Sequence, residues 1–285
     1  MKLFFNLILV LACFYGALWL FPEPAPMDDI PFYSDSGFSV IAHRGGRGLV
    51  PGNTIEAAIN AVNIGSDIIE VDVHLTADDV LVVRHDASID TTTNGSGQIS
   101  AMSLSEIQAY DAGFHEIDYP NTKYEKLIKV PTLGALFSEL PNQRYLIELK
   151  PQDVSAADNL CGLIRQYKKQ NQVMVGSFHT LMLKHFRGVC PEVPTSLGKS
   201  EIEKLVLLER LSLSHLFISE GYSIQIPFSA GGIDILRLDL VKVMHKRNIR
   251  VDVWTLNDII SMQYAIDIGV DGVITDWPDI LIKMQ

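Results

Sequence analysis

Four side chains that could carry acid-base or metal chemistry lie in short apolar segments: His43, Glu70, Asp72 and His85. Such segments are typical of buried strands, in which residues two apart point to the same face, so Glu70 and Asp72 share one face. A polar turn at residues 76–79 leads into the next strand, and a hairpin centred there would place Glu70 opposite His85. Two carboxylates in an apolar setting repel each other, and a bound cation would relieve that repulsion.

A third carboxylate follows later in the chain, where Glu148 ends an apolar segment and Lys150 comes two residues after it. Taken singly, each of these groups has an ordinary explanation: a solvated carboxylate, a core histidine, or a surface ion pair between Glu148 and Lys150. Their convergence on apolar strands favours a site instead. A ligand set made only of carboxylate oxygens predicts one divalent cation, Mg²⁺ or Ca²⁺ rather than Zn²⁺.

The residues around these groups are similar to the ordered signature of the glycerophosphodiester phosphodiesterase family. The similarity covers residues 38–282 and lies in the segments His43-Arg44-Gly45, Pro51-Gly52-Asn53-Thr54, Glu70-Val71-Asp72-Val73, Val82-Val83-Arg84-His85-Asp86, Thr92-Thr93-Asn94-Gly95-Ser96-Gly97, Ile147-Glu148-Leu149-Lys150, Gly176-Ser177-Phe178, Val253-Trp254-Thr255-Leu256-Asn257 and Gly272-Val273-Ile274-Thr275-Asp276-Trp277-Pro278. The family's usual Pro-Glu-Asn-Thr has Gly52 in place of Glu here, which puts one loop contact near the site in doubt.

This resemblance implies a role for each group. His43 and His85 would be general acid and base, which suits a side chain that titrates near neutrality. Glu70, Asp72 and Glu148 would bind the cation. Arg44 and Lys150 would bind the phosphate, the first through its planar fork and the second as a point charge. Trp254 would shape the alcohol pocket, although a core tryptophan is almost equally compatible with its position.

The resemblance implies hydrolysis of glycerophosphodiesters to glycerol phosphate and an alcohol. His43-Arg44-Gly45-Gly46 and an apolar N-terminus look more like the lysophospholipase D branch, whose substrates keep one acyl chain. Two alternatives remain open. One is a phospholipase C-like enzyme that forms a cyclic phosphate, and the other is a non-catalytic binding barrel, which would require missing catalytic groups.

Alternating strand and helix patterns over residues 38–285 predict a TIM (β/α)₈ barrel with a short insertion after the second histidine-bearing strand, in residues 87–130. The predicted strands number one more than such a barrel needs. The hairpin strand at His85 or a short strand at 194–197 would account for the surplus. A doubly wound open sheet is the alternative, but no Gly-x-Gly-x-x-Gly follows the first strand.

The N-terminus carries a run without charge from residue 3 to residue 21, long enough to cross a bilayer. Lys2 precedes this run and acidic residues follow it, which predicts a single-pass membrane helix at 1–21 with the catalytic domain on the non-cytoplasmic side. A cleaved signal peptide is the alternative. Residues 22–37 are rich in Pro, Asp and Ser and predict a linker.

The whole-chain composition excludes some classes of partner. The 285 residues carry a formal net charge of −11, which argues against nucleic-acid binding, so local Arg and Lys must capture a phosphodiester. Three cysteines are too few and too irregularly spaced for a disulfide framework or metal site. Cys161 and Cys190 are therefore predicted to be core thiols.

Overall fold

The computed structural model describes residues 2–33, 37–114 and 127–285. Residues 34–36 of the predicted linker and residues 115–126 of the predicted insertion lie outside the described residues. The strands are β1 (Ser39–Ala42), β2 (Ile68–Leu75), β3 (Leu81–Val83), β4 (Arg144–Leu149), β5 (Val173–Gly176), β6 (Ser223–Pro227), β7 (Ser229–Ala230), β8 (Ile233–Asp234), β9 (Arg250–Trp254) and β10 (Gly272–Thr275).

Parallel strands form the wall of a barrel in the order β5-β4-β2-β1-β10-β9-β6. The two edge strands are joined by the segment at Thr195 and Ser196, which bridges Val175 of β5 on one side and Ser223 of β6 on the other. This segment takes the place of the eighth strand in the wall. The architecture is therefore the predicted TIM barrel. Strand β3 pairs with β2 outside this circuit, so the hairpin strand was indeed the surplus one.

Apart from the exposed N-terminal helix, most helices alternate with strands and pack against the outside of the barrel, as the alternating pattern predicts. They are α1 (Lys2–Leu18), α2 (Ile55–Ile64), α3 (Leu104–Ile107), α4 (Leu133–Glu139), α5 (Val154–Gln166), α6 (Thr180–Val189), α7 (Lys199–Arg210), α8 (Leu238–Lys246), α9 (Ile259–Asp267) and α10 (Pro278–Ile282). Two apolar clusters fill the space between helices and strands, one around β2, β4 and α5 and the other around β6, β9 and α8.

Capping patterns in the sequence predict helix starts at Asn53, Ser200 and Asn257, and each observed start is displaced by one or two residues. Thr54, not Asn53, caps α2 by accepting a hydrogen bond from the Ala57 amide, which frees the Asn53 side chain for another contact. Gly198 rather than Ser200 is the N-cap of α7, and Asp258 rather than Asn257 is the N-cap of α9. In each case several polar residues precede the helix, and tertiary contacts decide which of them caps it.

The sequence pattern also predicts a strand at residues 215–219, and this prediction is wrong. Residues 215–219 contain an apolar run, but Ser214–Leu216 form a 3-10 turn, and the strand is Ser223–Pro227. Sequence patterns favour apolar strands, whereas Ser223 and Gln225 of the observed strand are polar. The Gln225 side chain lines the barrel's cavity, where polar groups replace core packing.

The end of the barrel where the strands begin is closed by the turn Pro31–Tyr33. Phe32 is fully buried there and packs against an inner layer that contains Ile41, Ile68, Leu146, Met174 and Ile274. Part of the predicted linker is therefore a plug of the barrel, a role that its Pro-rich sequence did not indicate.

The predicted membrane-spanning helix is not supported. Helix α1 ends at Leu18 after 17 residues, a length of about 26 Å at the rise of an α-helix, whereas a hydrocarbon core is about 30 Å thick. Among the described helices, none has both the length and the apolar character required to cross a membrane.

The cysteine prediction is also wrong. Cys161 of α5 and Cys190 at the end of α6 form a disulfide, with their Cα atoms 5.7 Å apart. Nothing in their spacing indicates this pairing, because the packing of α5 against α6 brings the two thiols together. Cys13 is the free cysteine of the described chain.

Candidate active site

The backbone after β1 turns sharply and presents two of the predicted site residues. Arg44, Gly45 and Gly46 all have positive φ values, of 52°, 79° and 85°. At Gly45 a Cβ atom would lie 2.8 Å from the Cβ of Ala57, so the close approach of α2 requires glycine there. The Arg44 amide donates a 2.8 Å hydrogen bond to Glu70 Oε2, and this bond holds the turn against β2.

The three predicted cation ligands lie together at the carboxyl ends of β2 and β4. Asp72 is the direct neighbour of Glu148 in the parallel register. Oxygen atoms of Glu70, Asp72 and Glu148 all lie within 4.8 Å of one another. Glu70 and Asp72 are buried and Glu148 is partly so, so the three carboxylates share one poorly solvated space.

Two cationic side chains adjoin this cluster. Lys150 Nζ lies 3.0 Å from Asp72 Oδ1 and 2.9 Å from Glu148 Oε2. Arg44 Nε lies 3.3 Å from Asp72 Oδ2. Asn53 donates to the same oxygen at 2.9 Å and accepts from the Asp72 amide. Asp72 is thus the centre of the polar network, and Asn53 is a site residue that the predicted ligand and catalytic set does not include.

The electrostatic consequences differ among the three carboxylates. Burial raises the pKa of Glu70 well above its usual value, and the charges of Asp72 and Glu148 raise it further. Burial also raises the pKa of Glu148, to about 7, against the opposing effect of Lys150. Burial opposes ionisation of Asp72 too, but Lys150 and Arg44 outweigh it and lower its pKa to about 2. Further positive charge beside the cluster would therefore favour the ionised forms of Glu70 and Glu148.

His43 is held by a partner that lies at the other end of the chain. Its Nδ1 is 2.5 Å from Asp276 Oδ1, and Asn257 donates to the second oxygen of Asp276 at 2.7 Å. Burial opposes ionisation of Asp276, but the hydrogen bonds with His43 and Asn257 lower its pKa overall. Because an ionised carboxylate only accepts, Nδ1 carries the proton, and Nε2 points toward Glu70 at 4.0 Å.

His85 has a similar arrangement made from neighbouring residues. Its Nδ1 lies 2.7 Å from Asp86 Oδ1, and Thr91 donates to the other oxygen of Asp86. The buried His74 places its Nε2 3.0 Å from the main-chain oxygen of His85. Burial lowers the pKa of His85, and the nearby Arg44 and Lys150 lower it further, which favours the neutral imidazole at neutral pH.

The predicted hairpin register is wrong by one residue. Strands β2 and β3 pair Val73 with Val83, so His85 lies beyond the ladder and does not face Glu70. The Arg84 amide donates to the Asp72 carbonyl at 3.0 Å. Five residues, 76–80, connect the two strands, with Asp79 at φ 59°, and this odd-numbered connection, centred on Asp78, sets the register instead of the expected four-residue turn at 76–79.

All eight predicted site residues nevertheless surround one region. A cavity of about 690 Å³ is lined by His43, Arg44, Glu70, His85, Glu148, Lys150 and Trp254, and Asp72 contacts Arg44 and Lys150 beneath it. Trp254 packs edge-on against Phe178, with ring centroids 5.6 Å apart. The aromatic pair borders the catalytic groups on the side of β5 and β9.

Sequence reasoning missed the groups that orient the histidines: Asp276, Asp86, Asn257 and His74. All lie in or beside segments that carry the family resemblance, yet their hydrogen-bond partners are set by the closure of the barrel.

Gly52 occupies the position where the family's usual segment has Glu. Its main-chain carbonyl accepts a 3.3 Å hydrogen bond from Arg84. A Cβ atom at this position would approach that of Arg47 to 2.8 Å and that of Arg44 to 3.3 Å, so the departure from the family's pattern lies beside a phosphate-site candidate.

Comparisons with known proteins show the family of the chain. Residues 43–280 match the Glycerophosphoryl diester phosphodiesterase family. A glycerophosphodiester phosphodiesterase of Caldanaerobacter subterraneus subsp. tengcongensis is 34% identical over 253 residues, covering 86% of this chain and 96% of that protein. The lysophospholipase D GDPD1 of Mus musculus is 27% identical over 266 residues, covering 84% of this chain and 83% of that protein. The crystal structure of glycerophosphodiester phosphodiesterase from Agrobacterium tumefaciens strain C58 has a TM-score of 0.68 at 27% identity, covering 86% of this chain and 99% of that one.

Proposed function

Because the chain belongs to the glycerophosphoryl diester phosphodiesterase family and is a phosphoric diester hydrolase, we propose that it hydrolyses glycerophosphodiesters to glycerol phosphate and an alcohol. One observation carries this proposal. His43 and His85, each with a carboxylate on Nδ1, lie at the same cavity as the cluster of Glu70, Asp72 and Glu148.

The two histidines are the proposed general acid and base. A carboxylate on Nδ1 fixes the ring and its tautomer, so that Nε2 of each imidazole is available to take or give a proton. Water attacks phosphorus as one histidine takes its proton, and the other histidine protonates the leaving alcohol oxygen. Arg44 and Lys150 bind the non-bridging phosphate oxygens. The assignment of acid and base between His43 and His85 stays open.

Glu70, Asp72 and Glu148 would hold one divalent cation. They fit one, because two buried carboxylates and one partly buried carboxylate share this space, and burial together with repulsion within the cluster raises the pKa of Glu70 and Glu148. Oxygen donors of this kind favour Mg²⁺ or Ca²⁺. When bound, the cation would supply positive charge to the phosphate oxygens as negative charge develops on them.

The test is an assay of the purified full chain with glycerophosphocholine in Mg²⁺ or Ca²⁺, with the products identified by mass. We expect glycerol phosphate and choline. A cyclic phosphate product would favour the phospholipase C-like reaction instead. The absence of any turnover with either cation would contradict the proposed activity.

Lysophospholipase D activity is the second candidate. It breaks the same phosphodiester bond in a substrate that keeps one acyl chain, and it gives lysophosphatidate and the head-group alcohol. The name of the Mus musculus relative and the apolar lining of part of the cavity favour it. Parallel assays with glycerophosphocholine and lysophosphatidylcholine would rank the two substrates.

We also propose that the catalytic domain resides in a non-cytoplasmic compartment. The support is the disulfide between Cys161 and Cys190, since disulfides persist in oxidising compartments and are rare in a reducing cytosol. Peptide mapping under non-reducing conditions of protein isolated from its native cells would reveal a linked peptide pair. Two free thiols would contradict this location.

A further inference from the structure

The wall of the catalytic cavity contains a side-chain amide with an unused hydrogen-bond donor. Gln225 lies in the middle of β6 and lines the cavity together with Glu70, Glu148 and Trp254. Its Nε2 is buried and donates to no atom of the residues that the structure describes. Leaving a buried amide without a partner costs free energy, so the arrangement favours a hydrogen bond to a molecule that enters the cavity.

The direction of the Gln225 side chain follows from the period of its strand. Ser223 donates to Met174 Sδ at 3.3 Å, and Met174 belongs to the inner layer that packs against the plug. Gln225 is two residues further along β6 and therefore points into the same interior, one layer closer to the catalytic end. Glu70 stands in the same relation to Ile68 of that layer. The amide and the carboxylate cluster therefore face the same space.

A glycine on the neighbouring strand makes room for this amide. At Gly176 of β5, a Cβ atom would lie 3.1 Å from Gln225 Oε1 and 3.1 Å from Ser196 Oγ, which is closer than ordinary van der Waals contact. Ser196 is buried and also lines the cavity. Gly176 pairs with Glu148 in the parallel register, so an uncharged amide and an uncharged hydroxyl form a patch that adjoins the carboxylate cluster.

The chemistry of this patch fits a hydroxyl group of a ligand. An amide offers donors and an acceptor on one plane, and its last torsion rotates broadly between two orientations. A hydroxyl also donates and accepts, so it can pair with whichever amide atom faces it. Within a glycerophosphodiester, the glycerol half carries free hydroxyls a few bonds from the phosphate.

We propose that Gln225 hydrogen-bonds a free hydroxyl of the glycerol half of the substrate and thereby selects which half of the phosphodiester enters the barrel. This inference rests on the proposed function and deepens it by naming a residue that determines specificity. The phosphate lies between His43 and His85, the glycerol carbons extend toward β5 and β6, and the leaving alcohol lies on the opposite side of phosphorus. The hydroxyl takes no part in bond cleavage, but its binding orients phosphorus between the two imidazoles.

The test compares two substrates that release the same alcohol. Glycerophosphocholine carries both glycerol hydroxyls, whereas the choline diester of propyl phosphate lacks them. The variant is Gln225→Met, because methionine has a similar length and no amide. We expect the ratio of kcat/KM between the first and the second substrate to fall about tenfold, as the loss of one hydrogen bond in a closed site implies. Activity on the propyl substrate should stay within about twofold of the wild type.

The matched control is Gln263→Met. Gln263 is exposed on α9 and donates to Asp267 of the same helix, so this variant should match the wild type on both substrates. The melting temperature of Gln225→Met should equal or exceed that of the wild type, because the substitution removes a buried donor without a partner. A lower melting temperature with equal losses on both substrates would assign the amide a structural role and overturn the proposal.

A second measurement does not depend on turnover. In calorimetry, binding of sn-glycerol 3-phosphate should weaken about tenfold in Gln225→Met, while binding of propyl phosphate stays unchanged. An unchanged substrate ratio in an active enzyme would overturn the role of Gln225 and leave the phosphodiesterase proposal intact. Selective loss of glycerol phosphate binding, in a protein whose wild type hydrolyses neither substrate, would support the role of Gln225 and contradict the proposed function.

Discussion

The barrel buries acidic groups at two places along its axis, and their surroundings differ. At the carboxyl ends of β2 and β4, three carboxylates face an open cavity beside Arg44, Lys150 and two histidines. Nearer the ends where the strands begin, Asp252 of β9 is fully buried beneath the plug. Tyr33 donates to its Oδ2 at 3.3 Å, and burial raises its pKa to about 6.

This difference separates a functional buried charge from a structural one. The carboxylates of the cluster lie within reach of a ligand or cation, so their repulsion can be relieved from outside. Asp252 is sealed by Tyr33 and the Phe32 layer, and proton uptake is its means of avoiding a buried charge. We therefore expect variants at the catalytic end to change activity and cation response, and a variant at Asp252 to change stability.

The largest expected effect is on turnover at the catalytic end. His43→Ala and His85→Ala should each lower kcat by about 10²–10⁴-fold, because each removes a positioned proton-transfer group. Their melting temperatures should stay close to that of the wild type. His245→Ala is the control, since His245 pairs with Asp271 at the surface and should retain activity. Near-normal kcat in either catalytic variant would remove that histidine from its proposed role.

A smaller effect is expected from the cation. Saturating Mg²⁺ or Ca²⁺, at a hundred times its Kd, should raise the free energy of unfolding by about 2.7 kcal/mol. Asp72→Asn should need more cation for the same shift, while Asp252→Asn should respond like the wild type. Cation affinity should fall below about pH 7, because Glu148 has a pKa of about 7 and must lose its proton to bind. Thermal unfolding with and without chelator measures this, and an identical cation response in Asp72→Asn would reject the site.

The remaining effect concerns the sealed end, where we expect a pH-dependent change in stability and none in activity. Asp252 has a pKa of about 6 in the folded chain and an ordinary value of 3.8. The folded state therefore keeps its proton at pH values where the unfolded chain has lost it, and stability falls as pH rises through this window. Asp252→Asn should gain up to about 3 kcal/mol relative to the wild type from about pH 4 to about pH 7. Chemical denaturation at both pH values tests this, and a constant difference would show that Asp252 does not titrate as stated. Activity on glycerophosphocholine should be unchanged in this variant.

The candidate site was largely predictable because its residues lie at strand ends with strong local patterns. Glu70 and Asp72 share a strand face by the period of two, and His43, His85 and Glu148 each follow an apolar segment. In a parallel barrel the carboxyl ends of the strands meet at one rim, so the same local pattern brings distant residues together. The strand Ser223–Pro227 was not predicted, for a related reason. Its inward side chains are polar, so it lacks the apolar pattern by which the other strands are recognised.

By itself, the sequence determined the alternation of strands and helices, the identity of the acidic and imidazole groups, and the family to which they belong. These features depend on residue types and on spacings of a few positions. The tertiary structure alone decided which partner each group has: Asp276 for His43, Asn53 for Asp72, Cys190 for Cys161 and Tyr33 for Asp252. Such pairs join residues far apart in the chain, and only the closure of the barrel and the packing of its helices bring their atoms within bonding distance.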